Sequence, residues 1–182
     1  VLRVEGRHPG GLVMTATPIP RTLALTVFGD LDVSVLDELP PGRRPPTSRW
    51  VRPGEASKMW QFVRGRLDAG EQAYVVYPLV AESEKLDLRA ATEQAEVLQR
   101  DMFPDARIAL LHGRMSAEEK QEVMQAFRRR ELDLLVTTSV IEVGIDVPNA
   151  TVMVVEHAER FGLSQLHQLR GRIGRSDKKS YF

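Results

Sequence analysis

Four short runs of the chain are apolar at almost every position: AYVVYPLV (73–80), RIALLHG (107–113), LDLLVTT (132–138) and TVMVVEH (151–157). Runs this short, dense in Val, Leu and Ile and without strict alternation, suit strands buried on both faces of a parallel sheet. Amphipathic stretches lie between them. EASKMWQFVRGRLDAGE (55–71) predicts a helix closed by Gly70. Residues 86–102 place Leu88, Ala91, Ala95, Leu98 and Met102 on one face, and Pro104 follows. In SAEEKQEVMQAFRRR (116–130), Ser116 and Glu119 form a capping-box pair, while Arg128, Arg129 and Arg130 suit the negative end of the helix dipole. Repeated strand–helix–strand order predicts an α/β layer fold with helices on both faces of the sheet.

The first 50 residues read differently. GLVMTATP (11–18) predicts a strand ending in a polar turn, and PPGRRPP (40–46) is too rich in proline to be helical. We therefore expect residues 1–39 to be the tail of a preceding domain, 40–48 a linker, and 49–182 the α/β domain. The tail's strand would then lack its sheet partners and offer an edge for self-association. The chain opens on Val1 rather than methionine, as a processed or excised chain would.

Composition narrows the chemistry. With 42% hydrophobic and 27% charged residues the chain is expected to be globular rather than disordered. Lys+Arg and Asp+Glu both number 25, so a nucleic-acid surface has to be a local patch. The absence of cysteine excludes disulfides and thiolate zinc sites. His8, His112, His157 and His167 lie far apart without ligand spacing, and no metal site is expected. No apolar run approaches the roughly 20 residues of a membrane span.

Four stretches carry candidate chemistry. In QLHQLRGRIGR (165–175) a helical wheel at about 100° per residue places Gln165, Gln168, Arg172 and Arg175 on one ridge. Leu163, Leu166, Leu169 and Ile173 form a neighbouring apolar seam. Two helix glycines, Gly171 and Gly174, cost about 1 kcal/mol each, which a close approach of another backbone or a ligand would explain. A C-cap glycine with terminal cations is the simpler alternative. In LLVTTSVIEVGIDVPNA (134–150) the hydroxyls of Thr137, Thr138 and Ser139 end a strand, where α/β sheets bind ligands. Asp146 is placed to accept from a ribose hydroxyl; an N-cap followed by a turn is the alternative. LLHGRMS (110–116) offers the amide of Gly113 to a phosphate, and VMTATPIPRT (13–22) forms a polar turn at a strand end.

Taken in order, TATP, HG, TTSVIEVGIDVP and QLHQLRGRIGR resemble motifs III to VI of superfamily 2 helicases. GDLDVSVLDELPPGR, YPLVAESEKLDL and ERFGLSQLHQLRGRIGR are similar to the RecG family of bacterial branched-DNA helicases. Transcription–repair coupling translocases share TATPIPRT and the motif VI stretch, but not DELPPGR or PLVAESEKLDL. The resemblance implies a second RecA-like motor domain, cut after motif VI, with motif III of the first motor domain attached. By the family pattern Arg172 and Arg175 are arginine fingers, and Gln168 orients the γ-phosphate or attacking water. Gly144 and Asp146 face the nucleotide. Thr138, Gly113 and Arg114 contact the DNA backbone, and Thr15 and Thr17 couple nucleotide state to domain closure.

Arg170 departs from the commonest motif VI pattern and is expected on DNA or in a structural ion pair. ATP and Mg²⁺ would be held mainly by the first motor domain, because no G-x-x-x-x-G-K-[ST] loop is present here. SVLDEL (34–39) follows TATP and is not expected to bind Mg²⁺. The implied partners are branched or duplex DNA, the first motor domain, a wedge domain and a single-stranded DNA-binding protein. The implied location is the bacterial cytoplasm, near the nucleoid, with no membrane contact. A non-catalytic nucleic-acid-binding module and a metabolic α/β enzyme with its own pocket are the alternative readings. The second lacks a phosphate loop, a G-x-G-x-x-G and a nucleophile elbow.

Overall fold

The structure, a computed structural model, describes residues 44–78, 84–138 and 146–182, with the side chains of 84–88 left aside. The strand expected at 11–18 and its edge therefore lie outside the described residues. By its own contacts the chain divides into two units, Val1–Glu38 and Leu39–Phe182, and every described residue belongs to the second.

The helices and strands follow the hydrophobic pattern closely. Helix α1 spans Ala56–Asp68, β1 Gln72–Val76, α2 Glu84–Val97, β2 Ile108–Leu111, α3 Ala117–Arg128, β3 Leu134–Thr137, β4 Ala150–Val155 and α4 Leu163–Arg170. Helix α1 stops because Gly70 adopts φ +75°, letting Glu71 N–H return to Arg66 O at 3.1 Å. Helix α2 runs into a π-turn at Leu98–Met102. Helix α3 starts with the expected capping box: Glu119 N–H donates to Ser116 Oγ at 3.1 Å and Ser116 N–H to Glu119 Oε2 at 2.6 Å. Of the three arginines ending it, only Arg128 is helical; Arg129 pairs with Glu131 at 2.7 Å and Arg130 turns the chain at φ 63°.

The strands form one parallel sheet in the order β2-β3-β1-β4. β1 and β3 are buried at every position, as their unbroken apolar sequence requires. Alternation then divides the side chains between two cores. Tyr74, Val76, Leu111, Leu135 and Met153 face Met124 and Phe127 of α3 and Leu169 of α4. Ala73, Val75, Leu134, Val136 and Val152 face Val63 of α1 and Leu98 and Phe103 beyond α2. Helices thus cover both faces, the three-layer α/β fold expected.

Beyond β4 the sheet continues in an order the sequence does not announce. Tyr181 N–H donates to Thr151 O at 2.8 Å, and Met153 N–H to Tyr181 O at 2.9 Å. On the far side of Tyr181, Thr47 N–H donates to Ser180 O at 2.9 Å, Phe182 N–H to Thr47 O at 2.9 Å, and Arg49 N–H to Phe182 O at 2.8 Å. Of the proline-rich stretch residues 44–46 are described, non-helical as the prolines dictate, and they lead directly into Thr47 and Arg49, which pair with residues 180–182.

Buried amides hold the start of β1. The Gln72 amide donates to Phe127 O at 2.6 Å and to Leu132 O at 2.7 Å, satisfying carbonyls at and beyond the end of α3. Its own oxygen accepts from Asn149 Nδ2 at 3.1 Å. Next to it the buried Glu71 carboxylate accepts both arms of Arg66, at 2.5 and 2.8 Å, and the Thr151 hydroxyl. Replacing Gln72 with leucine takes this donor from Leu132 O and leaves Phe127 O with Arg130 N–H alone, a loss of about 1–3 kcal/mol. A urea denaturation midpoint lowered by the equivalent of about 1–3 kcal/mol is expected, and an unchanged midpoint would refute this account of the amide.

Candidate functional site

Residues 163–175 do not form one helix. Helix α4 ends at Arg170 with Gly171 as its C-cap, Arg172 N–H closes a tighter turn onto Leu169 O at 2.9 Å, and Gly174 adopts φ +70°. The wheel that placed Gln165, Gln168, Arg172 and Arg175 on one ridge is therefore corrected: both arginines lie on the loop 171–175, outside the helix. The ladder gives way at Gly171, after which Arg172 and Ile173 N–H turn back only three residues, to Leu169 O and Arg170 O, and the left-handed Gly174 then keeps the helix from resuming. Gln165 is diverted too, because its Oε1 accepts from Gly162 N–H at 2.9 Å and caps the start of α4. The apolar seam is also shorter than expected: Leu169 and Ile173 are fully buried, but Leu163 is 87% exposed.

Gly174 is required by close packing inside this unit. A Cβ there would stand 2.8 Å from Ser180 Oγ, 3.1 Å from Pro46 Cγ and 3.2 Å from Arg44 O. The close approach inferred from sequence is real, but its partner is the extended segment 44–46 and the chain near Ser180.

The loop keeps its cations accessible while anchoring between them. Ile173 enters the core, whereas Arg172 is half-buried and Arg175 lies at the surface. Arg175 reaches Asp146 at 3.5 Å, and the two side chains are 31% and 48% exposed. Its Nε also approaches Gly171 O at 3.4 Å. Asp146 is presented because Val147 beside it is buried in the same core as Ile173. Two residues singled out separately, 29 positions apart in the chain, are thus brought together.

Beneath them lies Tyr74, which the sequence did not mark. Burial pushes its phenol well above the ordinary range; Arg175 pulls it down, Asp146 pushes it up and Arg172 pulls it down. Alternation along β1 assigns Tyr74 and Val76 to one face, but only the packing of α4 shows that this face carries the arginines. Gln168 is exposed on α4.

The other candidates separate into two groups. Gly113 and Arg114 are exposed between β2 and α3, where a Cβ on Gly113 would meet nothing within 4 Å and Lys120 Nζ donates to Gly113 O at 3.0 Å. Neighbouring His112 is held below its ordinary range by burial, so it is neutral at neutral pH. Thr138 is buried at the end of β3, its N–H donating to Leu111 O at 3.3 Å. Arg170 turns inward, and its Nη2 donates to Pro46 O at 3.0 Å. Thr15, Thr17, Ser139 and Gly144 lie outside the described residues.

A cavity of about 310 Å³, lined by Trp60, Tyr77, Glu156 and His157 among others, opens near α1 and α2 and includes none of these candidates. No group of three or more His, Cys, Asp or Glu side chains among the described residues is placed to hold a metal.

The chain matches the helicase conserved C-terminal domain family over residues 57–177 and belongs to it. Within that class it resembles RecG. The ATP-dependent DNA helicase RecG of Streptococcus pneumoniae serotype 4 is 53% identical over 181 residues, which are 100% of this chain and 27% of that protein. That of Aquifex aeolicus is 56% identical over 177 residues, 97% and 22% respectively. The chain spans about a quarter of the length of these curated relatives. A solved structure of RecG bound to a three-way DNA junction agrees with a TM-score of 0.75 at 49% identity, over 91% of this chain and 21% of that one. The yeast DEAD-box splicing factor Prp28 shares the fold alone, with a TM-score of 0.51 at 20% identity over 74% of this chain and 27% of its own. The fold is the RecA-like helicase C-terminal domain, as the sequence led us to expect.

The geometry at Gly174 makes a direct prediction. Gly174→Ala forces an L side chain into a left-handed conformation, costing about 1–2 kcal/mol before crowding, and the melting temperature should fall accordingly. Gly113→Ala should stay within about 0.5 kcal/mol of wild type. Calorimetry showing equal midpoints for the two variants would contradict the packing described.

Proposed function

We propose that this chain is the second motor domain of an ATP-dependent DNA helicase that remodels stalled forks and branched DNA. On this reading residues 1–39 end the first motor domain, 40–48 link the two, and 49–182 form the second. The observation that carries it is the loop 171–175, which holds Arg172 and Arg175 on the surface side of a buried Ile173, beside Asp146. The family membership and the similarity to RecG helicases support the same reading. The relative solved on a three-way junction supports branched DNA as the partner.

The chemistry follows from permanent charge. A guanidinium stays protonated in proteins and carries five donors. A cation opposed to a nucleotide across a cleft stabilises charge spreading over the transferred phosphoryl oxygens, an effect worth about 10³ to 10⁵ in rate. Arg175 is suited to this because its tie to Asp146 is long and exposed, contributing about 0–1 kcal/mol, so a phosphate competes for it easily. Asp146, released, is free to accept from a ribose hydroxyl. Gln168, exposed on α4, is the candidate to orient the γ-phosphate or water. On this reading Mg²⁺ is held mainly by the first motor domain; among the described residues no three His, Cys, Asp or Glu side chains cluster to hold a metal. Gly113 and Arg114, exposed before α3, supply a backbone amide and a charge to a DNA phosphate, fixing position without reading sequence. A soluble cytoplasmic helicase acting with the first motor domain, a wedge domain and a single-stranded DNA-binding protein completes the reading.

In the full-length helicase carrying this segment, Arg172→Ala or Arg175→Ala should lower DNA-stimulated ATP hydrolysis about 10³-fold while DNA affinity stays near wild type. Wild-type turnover in both variants would reject the assignment. Arg114→Ala should weaken binding across DNA sequences and reduce the salt slope of binding by about one, which a salt titration reads directly.

A further inference from the structure

We propose that Arg170 is a positioning residue that ties the extended segment 44–49 to the arginine loop, and so sets how Arg172 and Arg175 are presented. The inference rests on the reading of that loop as a source of ATPase arginines, and it concerns a residue that motif comparison left between DNA and an ion pair.

One segment holds the chain just before the loop 171–175 and again five residues beyond it. At the first, Arg170 Nη2 donates to Pro46 O at 3.0 Å. At the second, Ser180 and Phe182 exchange backbone hydrogen bonds with Thr47, and Phe182 O accepts from Arg49 N–H. Between these ties Gly174 packs against Arg44 O and Pro46, too close for a side chain. Prolines 45 and 46 stiffen the segment, since each fixes its own φ and restricts the residue before it. A stiff segment tied this close to a short loop constrains how the loop is held.

Arg170 is the side-chain member of this set. The ladder with 180–182 is backbone to backbone, and Gly174 contributes only by lacking a Cβ, so neither is removed by trimming a side chain. The Arg170 guanidinium is half-buried with its Nε enclosed and without a hydrogen-bond partner among the described residues. A phosphate contact needs the group turned outward; here it points into the chain's own connector. The connector leads towards residues 1–39, which the reading above assigns to the first motor domain. Displacement of the connector therefore reaches the arginine loop directly through Pro46 and Arg170.

The test uses the full-length helicase with Arg170→Ala, Arg170→Lys and Arg172→Ala. Arg170→Ala should lower kcat for DNA-stimulated ATP hydrolysis about 10- to 100-fold, the scale of a small misplacement of catalytic groups. The KM for ATP, the DNA affinity and its salt slope should stay within about twofold of wild type, because no phosphate contact is removed. Arg170→Lys keeps a donor within reach of Pro46 O and should restore most of kcat; it also serves if the alanine variant unfolds. The tie is overturned if Arg170→Ala turns over at the wild-type rate, or if it loses about one unit of salt slope with kcat at saturating DNA intact. It is likewise overturned if the lysine variant is as impaired as alanine. Wild-type turnover in Arg172→Ala instead sinks the reading of the loop, so the two failures are told apart.

Discussion

An arginine cannot shed its charge at any pH a folded protein meets, and the site is organised around that constraint. Arg172 and Arg175 must face water, a carboxylate or an anion, yet a useful cation must also be held still. The chain resolves the conflict by alternation within five residues. Ile173 is sunk into the core and the flanking arginines are left outside. Val147 does the same for Asp146, which gives Arg175 a weak partner at 3.5 Å. Tyr74 lies below, its phenol kept neutral by burial while charges of both signs act on it from above.

That arrangement depends on the sheet beneath it. A parallel sheet covered on both faces leaves no strand residue free to move alone, since each side chain belongs to one of two close-packed cores. Leu169 and Ile173 share their core with Tyr74 and Phe127, so the arginine loop is referenced to β1 and α3 at once. At the other limit, Gln72, Asn149 and Glu71 satisfy polar groups where the strands begin, and Lys178 joins them through Asn149 at 3.0 Å. The connection from α4 back to Tyr181 is therefore pinned along its length.

Fold and function separate clearly in the comparisons. A DEAD-box splicing factor shares the architecture at 20% identity, so the three layers alone do not define a function. The discriminating signal is the sequence itself, 53% identical over 181 residues to a RecG helicase.

The strands, their parallel packing, the capping box of α3 and the stop at Gly70 were all legible in the sequence, because they follow from local patterning and from interactions between residues a few positions apart. The resemblance in QLHQLRGRIGR was legible as well, but the wheel drawn through it was not reliable. A glycine that lies inside a helix and one in the loop beyond it look alike until a distant partner is known, and for Gly174 that partner is Pro46 and Ser180. The pairing of Arg175 with Asp146, the place of Tyr74 and the inward turn of Arg170 share this character. Each joins residues tens of positions apart, or decides which face of a strand meets which helix. Local periodicity carries no information on either, so the sequence determined the parts and the chemistry they hold, while only tertiary packing decided which of them meet.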